Sequence, residues 1–194
     1  MGFLDSLLGR SKPAKANLDV LFSVPQAALT LESGGGFTFT GVGSVCYRPN
    51  EGAAFLATEK DIEALLNTAD GTTVERTDDA FGFRWLKVER PTSDVAGLVT
   101  DLHAVNASLT DAGFGQSLLC SLVNFATTAG EPVAIVYLYK RGTFFPFAPA
   151  GKERRDNELE LMVRGLVAED IPIEPDLARW FAVWGAPGLQ ADTA

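Results

Sequence analysis

Two neighbouring apolar runs constrain the fold of this chain more than any other feature. Residues 116–126 and 133–140 each have the length of a strand, and the turn-forming sequence Thr-Thr-Ala-Gly-Glu-Pro separates them. Both runs are apolar on both faces, which is typical of strands that are covered on either side. The sequence therefore predicts a hairpin at the centre of a sheet.

Two further strand patterns precede this hairpin. Residues 37–47 alternate like a single strand, and residues 72–77 and 80–90 predict a second hairpin that turns at Asp78 and Asp79. In the last of these strands the alternation places three aromatic side chains on one face: Phe81, Phe83 and Trp85. The chain thus supplies a second set of strands for the same sheet.

Apolar residues at helical spacing predict a long helix between the two hairpins. Thr92 or Ser93 is the expected N-cap, and Gly113 is the expected end. The apolar stripe of this helix consists of Val95, Leu98, Val99, Leu102, Val105 and Leu109. A stripe of this width predicts a helix that packs along the sheet.

Two shorter helices are predicted from capping patterns. Thr58 with Asp61 resembles a capping box ahead of one helix, and Asn157 with Glu160 resembles a capping box ahead of another. After the second helix, residues 185–194 read as a loose tail. Hairpins predominate in this order of elements and no βαβ series occurs. The sequence therefore predicts an α+β fold, with a mostly antiparallel sheet of hairpins and flanking helices.

A short amphipathic segment precedes this body. Phe3, Leu4, Leu7 and Leu8 fall on one face of a short N-terminal helix. A basic and polar run then follows, with Arg10, Lys12 and Lys15. We predict that residues 1–17 form an amphipathic leader and linker, and that residues 18–194 form a single α+β domain.

Charge divides the chain in the same place. The net charge is −9, but residues 1–17 carry +2 and the remainder carries −11. An acidic body argues against nucleic-acid binding, since that binding depends on phosphate neutralisation. A basic, apolar leader suits an anionic membrane surface or an acidic partner. No secretory signal or membrane-length apolar run is evident. We therefore expect a cytoplasmic protein, either free or peripheral at the inner face of the membrane.

The residues that could perform chemistry are few. His103 is the only histidine, and Asp101 would point about 200° away from it around a helix. Cys46 and Cys120 lie in apolar strand-like runs, which predicts buried free thiols. The sequence predicts no catalytic residue, no cofactor and no metal site. An alternative remains open, in which a pocket near His103 and Asn106 binds a small ligand or acts as an enzyme.

A run of cations and aromatics follows the central hairpin. Lys140, Arg141, Phe144 and Phe145 form a candidate patch for a peptide or an anionic lipid, although the same run could be a core strand that enters a loop. Arg154 and Arg155 are another candidate, either as an anion-recognition cluster or as the solvated start of a helix, and one of them would join the alternative pocket near His103.

Several segments resemble the PspA-associated protein PspAB family. They are residues 1–12, 98–106, 137–144, 154–159 and 180–188, which read MGFLDSLLGRSK, LVTDLHAVN, YLYKRGTF, RRDNEL and WFAVWGAPG. The similarity spans nearly the whole chain. It implies a partner of the phage-shock-protein A type, which is a coiled-coil, membrane-remodelling protein of the envelope-stress response, and it implies no catalytic residue.

These observations lead to one main hypothesis and two alternatives. The main hypothesis is a non-enzymatic adaptor of the envelope-stress (phage-shock) response, which binds a PspA-like coiled-coil protein, the membrane surface, or both. Its leader would use Phe3, Leu4, Leu7 and Leu8 for this contact. The alternatives are a ligand-binding or enzymatic pocket near His103, and a chaperone-like module that presents its sheet to a client segment.

Overall fold

The computed structural model describes residues 17–68, 71–151 and 153–189, and these residues form the predicted α+β fold. The strands are β1 (Thr38–Tyr47), β2 (Thr73–Asp78), β3 (Arg84–Glu89), β4 (Leu118–Ala126), β5 (Pro132–Leu138) and β6 (Thr143–Phe147). The α-helices are α1 (Val24–Gly35), α2 (Ala53–Leu66), α3 (Val95–Asp111) and α4 (Asn157–Val167). Short 3₁₀ turns span Leu18–Ser23, Gly115–Ser117 and Leu177–Arg179.

The six strands form one antiparallel sheet in the order β2-β3-β1-β4-β5-β6. The predicted hairpin β4–β5 lies inside this sheet, because β1 covers one side of it and β6 covers the other. Its central position is therefore confirmed. The aromatic strand β6 lies at an edge, where Pro146 does not interrupt a ladder on both sides.

The two faces of the sheet bury different kinds of structure. One face packs against the helices, whose buried residues form the larger core together with side chains such as Val45, Leu86 and Phe125. The stripe predicted for α3 is confirmed, and Leu98, Leu102 and the neighbouring apolar residues of that stripe contact this core. We call this the helical core.

An irregular segment covers the other face of the sheet. Residues 180–189, which we call the C-terminal strap, place Trp180, Val183, Ala186 and Leu189 on a second core that contains Trp85 and other sheet side chains. The prediction of a loose tail from residue 185 onward is therefore wrong up to residue 189. The amide of Asn124 also donates a hydrogen bond to the Pro187 carbonyl at 3.0 Å, so the strap is anchored by polar as well as apolar contacts.

Three helix starts differ from their predictions. The N-caps of α3 and α4 are Asp94 and Asp156, whose carboxylates accept hydrogen bonds from backbone N–H groups three residues later. Helix α2 begins at Ala53, so Thr58 lies within it and donates to the Ala54 carbonyl instead of capping. Asp, Asn and Ser are about equally favoured as N-caps and Thr somewhat less, so a capping residue type alone does not fix where a helix begins.

The leader falls outside the described residues, as does Gln190 onward. Its predicted helix and the predicted division of the chain at residue 17 therefore stay predictions. Within the described part of the chain, no helix combines the length and the apolar character needed to cross a membrane.

Candidate functional site

A groove of about 490 Å³ opens at one end of the sheet. Its lining combines two cations, amide and hydroxyl groups, and apolar side chains: Arg48, Asn50, Phe83, Gln116, Ser117, Leu118, Leu119 and Lys140. Of the four residues predicted at the cation and aromatic run, Lys140 is the one that lines this groove. We call it the basic groove.

Strand register brings these distant residues together. Tyr47 at the end of β1 lies opposite Leu118 at the start of β4, and Cys120 lies opposite Leu138 near the end of β5. Arg48 is the first residue after β1, and Lys140 is the second residue after β5. The backbone N–H of Arg48 donates to the Ser117 carbonyl at 2.9 Å, which extends the ladder to the groove. The antiparallel order of the strands thus places both cations at the same end of the sheet.

The two groove cations are available for a ligand. The Arg48 guanidinium carbon lies 5.3 Å from the centroid of the Phe83 ring, which holds the cation at the groove wall. Among the described residues, no carboxylate lies within salt-bridge distance of Arg48 or Lys140, and no acidic side chain lines the groove. Such an arrangement attracts a carboxylate or another anion.

A tight turn next to this groove exposes an aromatic side chain. The carboxylate of Asp79 accepts hydrogen bonds from the N–H groups of Phe81 and Phe83, at 2.8 and 2.9 Å, and from the Trp85 indole at 3.0 Å. Gly82 takes a positive φ of 81°, which glycine adopts without strain. Phe81 is 71% exposed, so its predicted place on a strand face with Phe83 and Trp85 is wrong.

Arg141 differs from its neighbour Lys140. Its guanidinium donates to the carboxylate of Glu174, which is fully buried and also accepts from Thr143 Oγ1 at 2.9 Å. Burial raises the pKa of Glu174, but the hydrogen bonds from Arg141, Thr143 and the Asp176 N–H outweigh it and lower that pKa. Arg141 therefore serves as the partner of a buried carboxylate.

Phe144 and Phe145 are almost fully buried, at 1% and 0% exposure, and lie in the helical core and the second core respectively. Successive strand residues point to opposite faces, so β6 sends one ring into each core. Neither ring belongs to the surface, so neither is placed to contact a partner there. The contact predicted for Lys140 stays a prediction.

The pocket predicted near His103 forms without its other predicted members. His103 stacks on Phe22 with ring centroids 4.7 Å apart, and its Nε2 lies 3.4 Å from an Asp19 oxygen at the rim of a second groove. Asn106 is fully buried on the sheet side of α3, where its amide donates to Ser121 Oγ at 2.8 Å. Arg155 lies with Phe147 and the strap on the far face of the sheet.

The buried Glu160 explains the cluster around Arg155. The guanidinium of Arg155 donates to Glu160 Oε1 at 2.8 Å and to the Trp180 carbonyl, so it joins α4 to the strap. Glu160 Oε1 also accepts from the Ala148 N–H at 3.0 Å. Glu160 is thus a buried ion-pair partner, and the predicted capping box with Asn157 is wrong.

Cys46 and Cys120 are free and fully buried, as predicted, and they lie opposite each other on β1 and β4. Burial raises the pKa of the Cys120 thiol, which keeps it protonated and inert. Across residues 17–68, 71–151 and 153–189, no three His, Cys, Asp or Glu side chains gather as metal ligands would.

Sequence reasoning missed most of the basic groove. Arg48, Phe83, Gln116 and Leu119 were not predicted as binding residues, and Phe81 was assigned to a strand face. The available signal was that Arg48 and Lys140 each lie within two residues of a strand end. Only the register of β1, β4 and β5 shows that those ends meet.

Comparison with known proteins identifies the family. A family model described as PspA associated protein B matches residues 1–188, which is nearly the whole chain. No curated protein and no solved structure gives a significant match. The match covers the strands around the basic groove and the C-terminal strap alike, and it links the chain to the PspA system. The chain belongs to the PspAB family, the PspA associated proteins B.

Proposed function

We propose that this protein is a non-enzymatic accessory protein of the envelope-stress response, and that it binds a PspA-type partner through the basic groove. The observation that carries the proposal is a concave site with two cations, Arg48 and Lys140, on a chain of net charge −9. Neither cation has a salt-bridge partner within the part of the chain that the structure describes. Association with PspA is what the family name states.

The distribution of arginines supports this use of the groove. Six arginines in the described residues form salt bridges with carboxylates: Arg76, Arg84, Arg90, Arg141, Arg155 and Arg179. Most of these ion pairs connect separate elements of the fold, so their charges serve stability. Arg48 instead stacks on Phe83 and directs its charge toward the groove. Charge complementarity of this kind contributes partner choice and association rate.

The separation of the chemically capable side chains supports a non-enzymatic role. The catalytic alternative required His103 to share a pocket with Asn106 and with Arg154 or Arg155. His103 instead lies beside the exposed Asp19, while Asn106 and Arg155 bond elsewhere. The chaperone-like alternative required an exposed apolar sheet face, and the strap covers that face.

The leader completes the proposal. We propose that the protein is cytoplasmic and reaches the inner face of the membrane through Phe3, Leu4, Leu7 and Leu8. Replacing Leu4 and Leu7 by Asp should abolish recruitment to vesicles or to membrane-bound partner and leave the melting temperature unchanged. Recruitment of that variant at the wild-type level would contradict this part of the proposal.

Titration calorimetry with purified PspA tests the role of the groove. We expect Arg48→Glu combined with Lys140→Glu to weaken binding at least about tenfold, because two attractive contacts become repulsive. The control, Lys60→Glu with Arg164→Glu, adds the same charge on α2 and α4 and should bind like the wild type. No binding by the wild type, or equal losses in both variants, would contradict the proposal.

A further inference from the structure

We infer that Phe81 and the basic groove form one docking surface for an acidic protein segment that carries an apolar side chain next to its carboxylates. The inference rests on the proposed function for the identity of the partner, and it adds the chemistry of the bound segment. It also assigns a role to Phe81, which the fold itself leaves unused.

Phe81 has the properties of a binding anchor. Its ring is 71% exposed, although aromatic side chains supply most of their energy when they are buried. The turn that carries it is held by three hydrogen bonds to the Asp79 carboxylate and by the Asp79 N–H, which donates to the Phe83 carbonyl at 2.8 Å. A side chain on a preformed turn loses little conformational entropy on binding.

The anchor and the groove are continuous. The Phe83 N–H donates to the Asp79 carboxylate that holds the turn, and the Phe83 side chain lines the groove with Arg48 stacked on its ring. In the chain, Gly82 alone lies between Phe81 and the groove-lining Phe83. A partner segment that covers Phe81 can reach Arg48 along the same surface.

The lining of the groove selects the occupant. Its cations, Arg48 and Lys140, favour carboxylates, and its apolar residues, Phe83 and Leu119, favour an apolar side chain between them. The Gln116 amide adds polar capacity for a peptide backbone. This mixture of apolar floor and polar rim is typical of protein interfaces.

A protein segment fits this surface better than a membrane does. A flat bilayer would meet a single protruding ring, Phe81, while the floor of the groove would stay out of its reach. Residues 18–194 carry a net charge of −11, which an anionic bilayer would repel. A narrow acidic segment avoids that repulsion because it enters the groove alone.

Calorimetry with purified PspA and three variants tests the inference. Phe81→Ala should weaken binding about tenfold, as expected for an aromatic anchor. Leu29→Ala is the matched control, because Leu29 is 60% exposed on α1, and it should bind like the wild type. Asp79→Asn tests the positioning of the turn and should weaken binding less than Phe81→Ala does.

The outcomes separate the inference from the proposed function. If the wild type binds PspA and Phe81→Ala binds equally well, the inference is overturned and the proposed function stands. If the wild type does not bind, the proposed function fails first. Vesicles of phosphatidylglycerol provide the remaining arm: sedimentation that depends on Phe81 would overturn the protein-segment assignment. Unfolding by urea should give the same midpoint for Phe81→Ala and the wild type, since the ring contacts solvent.

Discussion

Arg84 and Arg48 lie at the same end of the sheet, and their surroundings give them opposite tasks. Arg84 lies opposite Tyr47 in the ladder, and its guanidinium binds both oxygens of the buried Glu59, each at 3.0 Å. Arg48 follows Tyr47 by one residue, stacks on Phe83 and faces the basic groove. The difference shows that a buried carboxylate turns a cation into a structural element, whereas its absence leaves the charge for a partner.

Glu59 and its partners Tyr47, Arg76 and Arg84 form a network that we call the Glu59 cluster. A change in this cluster gives the largest expected change in stability. Glu59→Ala would leave Arg76, Arg84 and the Tyr47 hydroxyl without their shared acceptor at the α2–sheet contact. Removing one member of a buried ion network costs about 3–5 kcal/mol. We expect a loss of that size in urea unfolding. Asp61→Ala, at an exposed position of α2, is the control and should stay within about 0.5 kcal/mol of the wild type.

The affinity for PspA should not respond to the Glu59→Ala substitution. The Glu59 cluster lies on the helix side of the sheet and the basic groove lies on the strap side. Glu59→Ala should therefore retain the wild-type affinity for PspA under conditions where it is folded. If Glu59→Ala lost affinity as well as stability, the Glu59 cluster and the basic groove would depend on each other. The contrast between a structural and a binding arginine would then be wrong.

Glu174 gives a smaller change that depends on pH. Glu174→Gln should lose about 1–3 kcal/mol near neutral pH, because the charge that pairs with Arg141 disappears. The folded state lowers the pKa of Glu174 from its ordinary value of 4.5. Its stabilising contribution is thus complete above that value and is lost as the pH falls through the folded pKa.

Urea unfolding at several pH values checks this sign. The gap in unfolding free energy between the wild type and Glu174→Gln should be constant above the ordinary pKa and should narrow in more acidic solution. A gap that widens as the solution becomes more acidic would contradict the assigned direction of the shift.

The groove cations give the smallest expected change in stability. Arg48→Gln with Lys140→Gln should unfold within about 0.5 kcal/mol of the wild type, since neither cation holds a buried carboxylate. The affinity of the wild type for PspA should fall as salt is added, and the affinity of this variant should depend less on salt. Titrations at low and high sodium chloride measure both slopes. If the affinities of the wild type and the variant depended equally on salt, the groove cations would not be part of the binding site.

The elements that could be predicted from sequence are those with long, uniform apolar patterns. The hairpin β4–β5 and helix α3 carry such patterns over many residues, and both were predicted correctly. Helix starts were missed because several adjacent residues can cap, as at Ser93 and Asp94. The end of α1 shows another limit, because Gly35 is helical in a run of three glycines, and a Cβ there would lie only 2.5 Å from the Phe37 ring.

The candidate site was hard to predict for a different physical reason. Lys140 stood out because it adjoins aromatics, yet its neighbour Arg141 looks the same in the sequence and pairs with Glu174, 33 residues later. The environment of a surface cation depends on strand register and on distant carboxylates. Phe81 was misread because Asp79 forms side-chain hydrogen bonds that end the alternation early.

Site-specific photo-crosslinking in cells tests the central claim most directly. Gln116 is exposed and lines the basic groove, and Glu32 is exposed on α1 on the helix side. Replacing Gln116 by p-benzoylphenylalanine should give a light-dependent crosslink to PspA, and the same replacement at Glu32 should give none. A crosslink to PspA from Glu32 alone would place the partner on the helices and contradict the account.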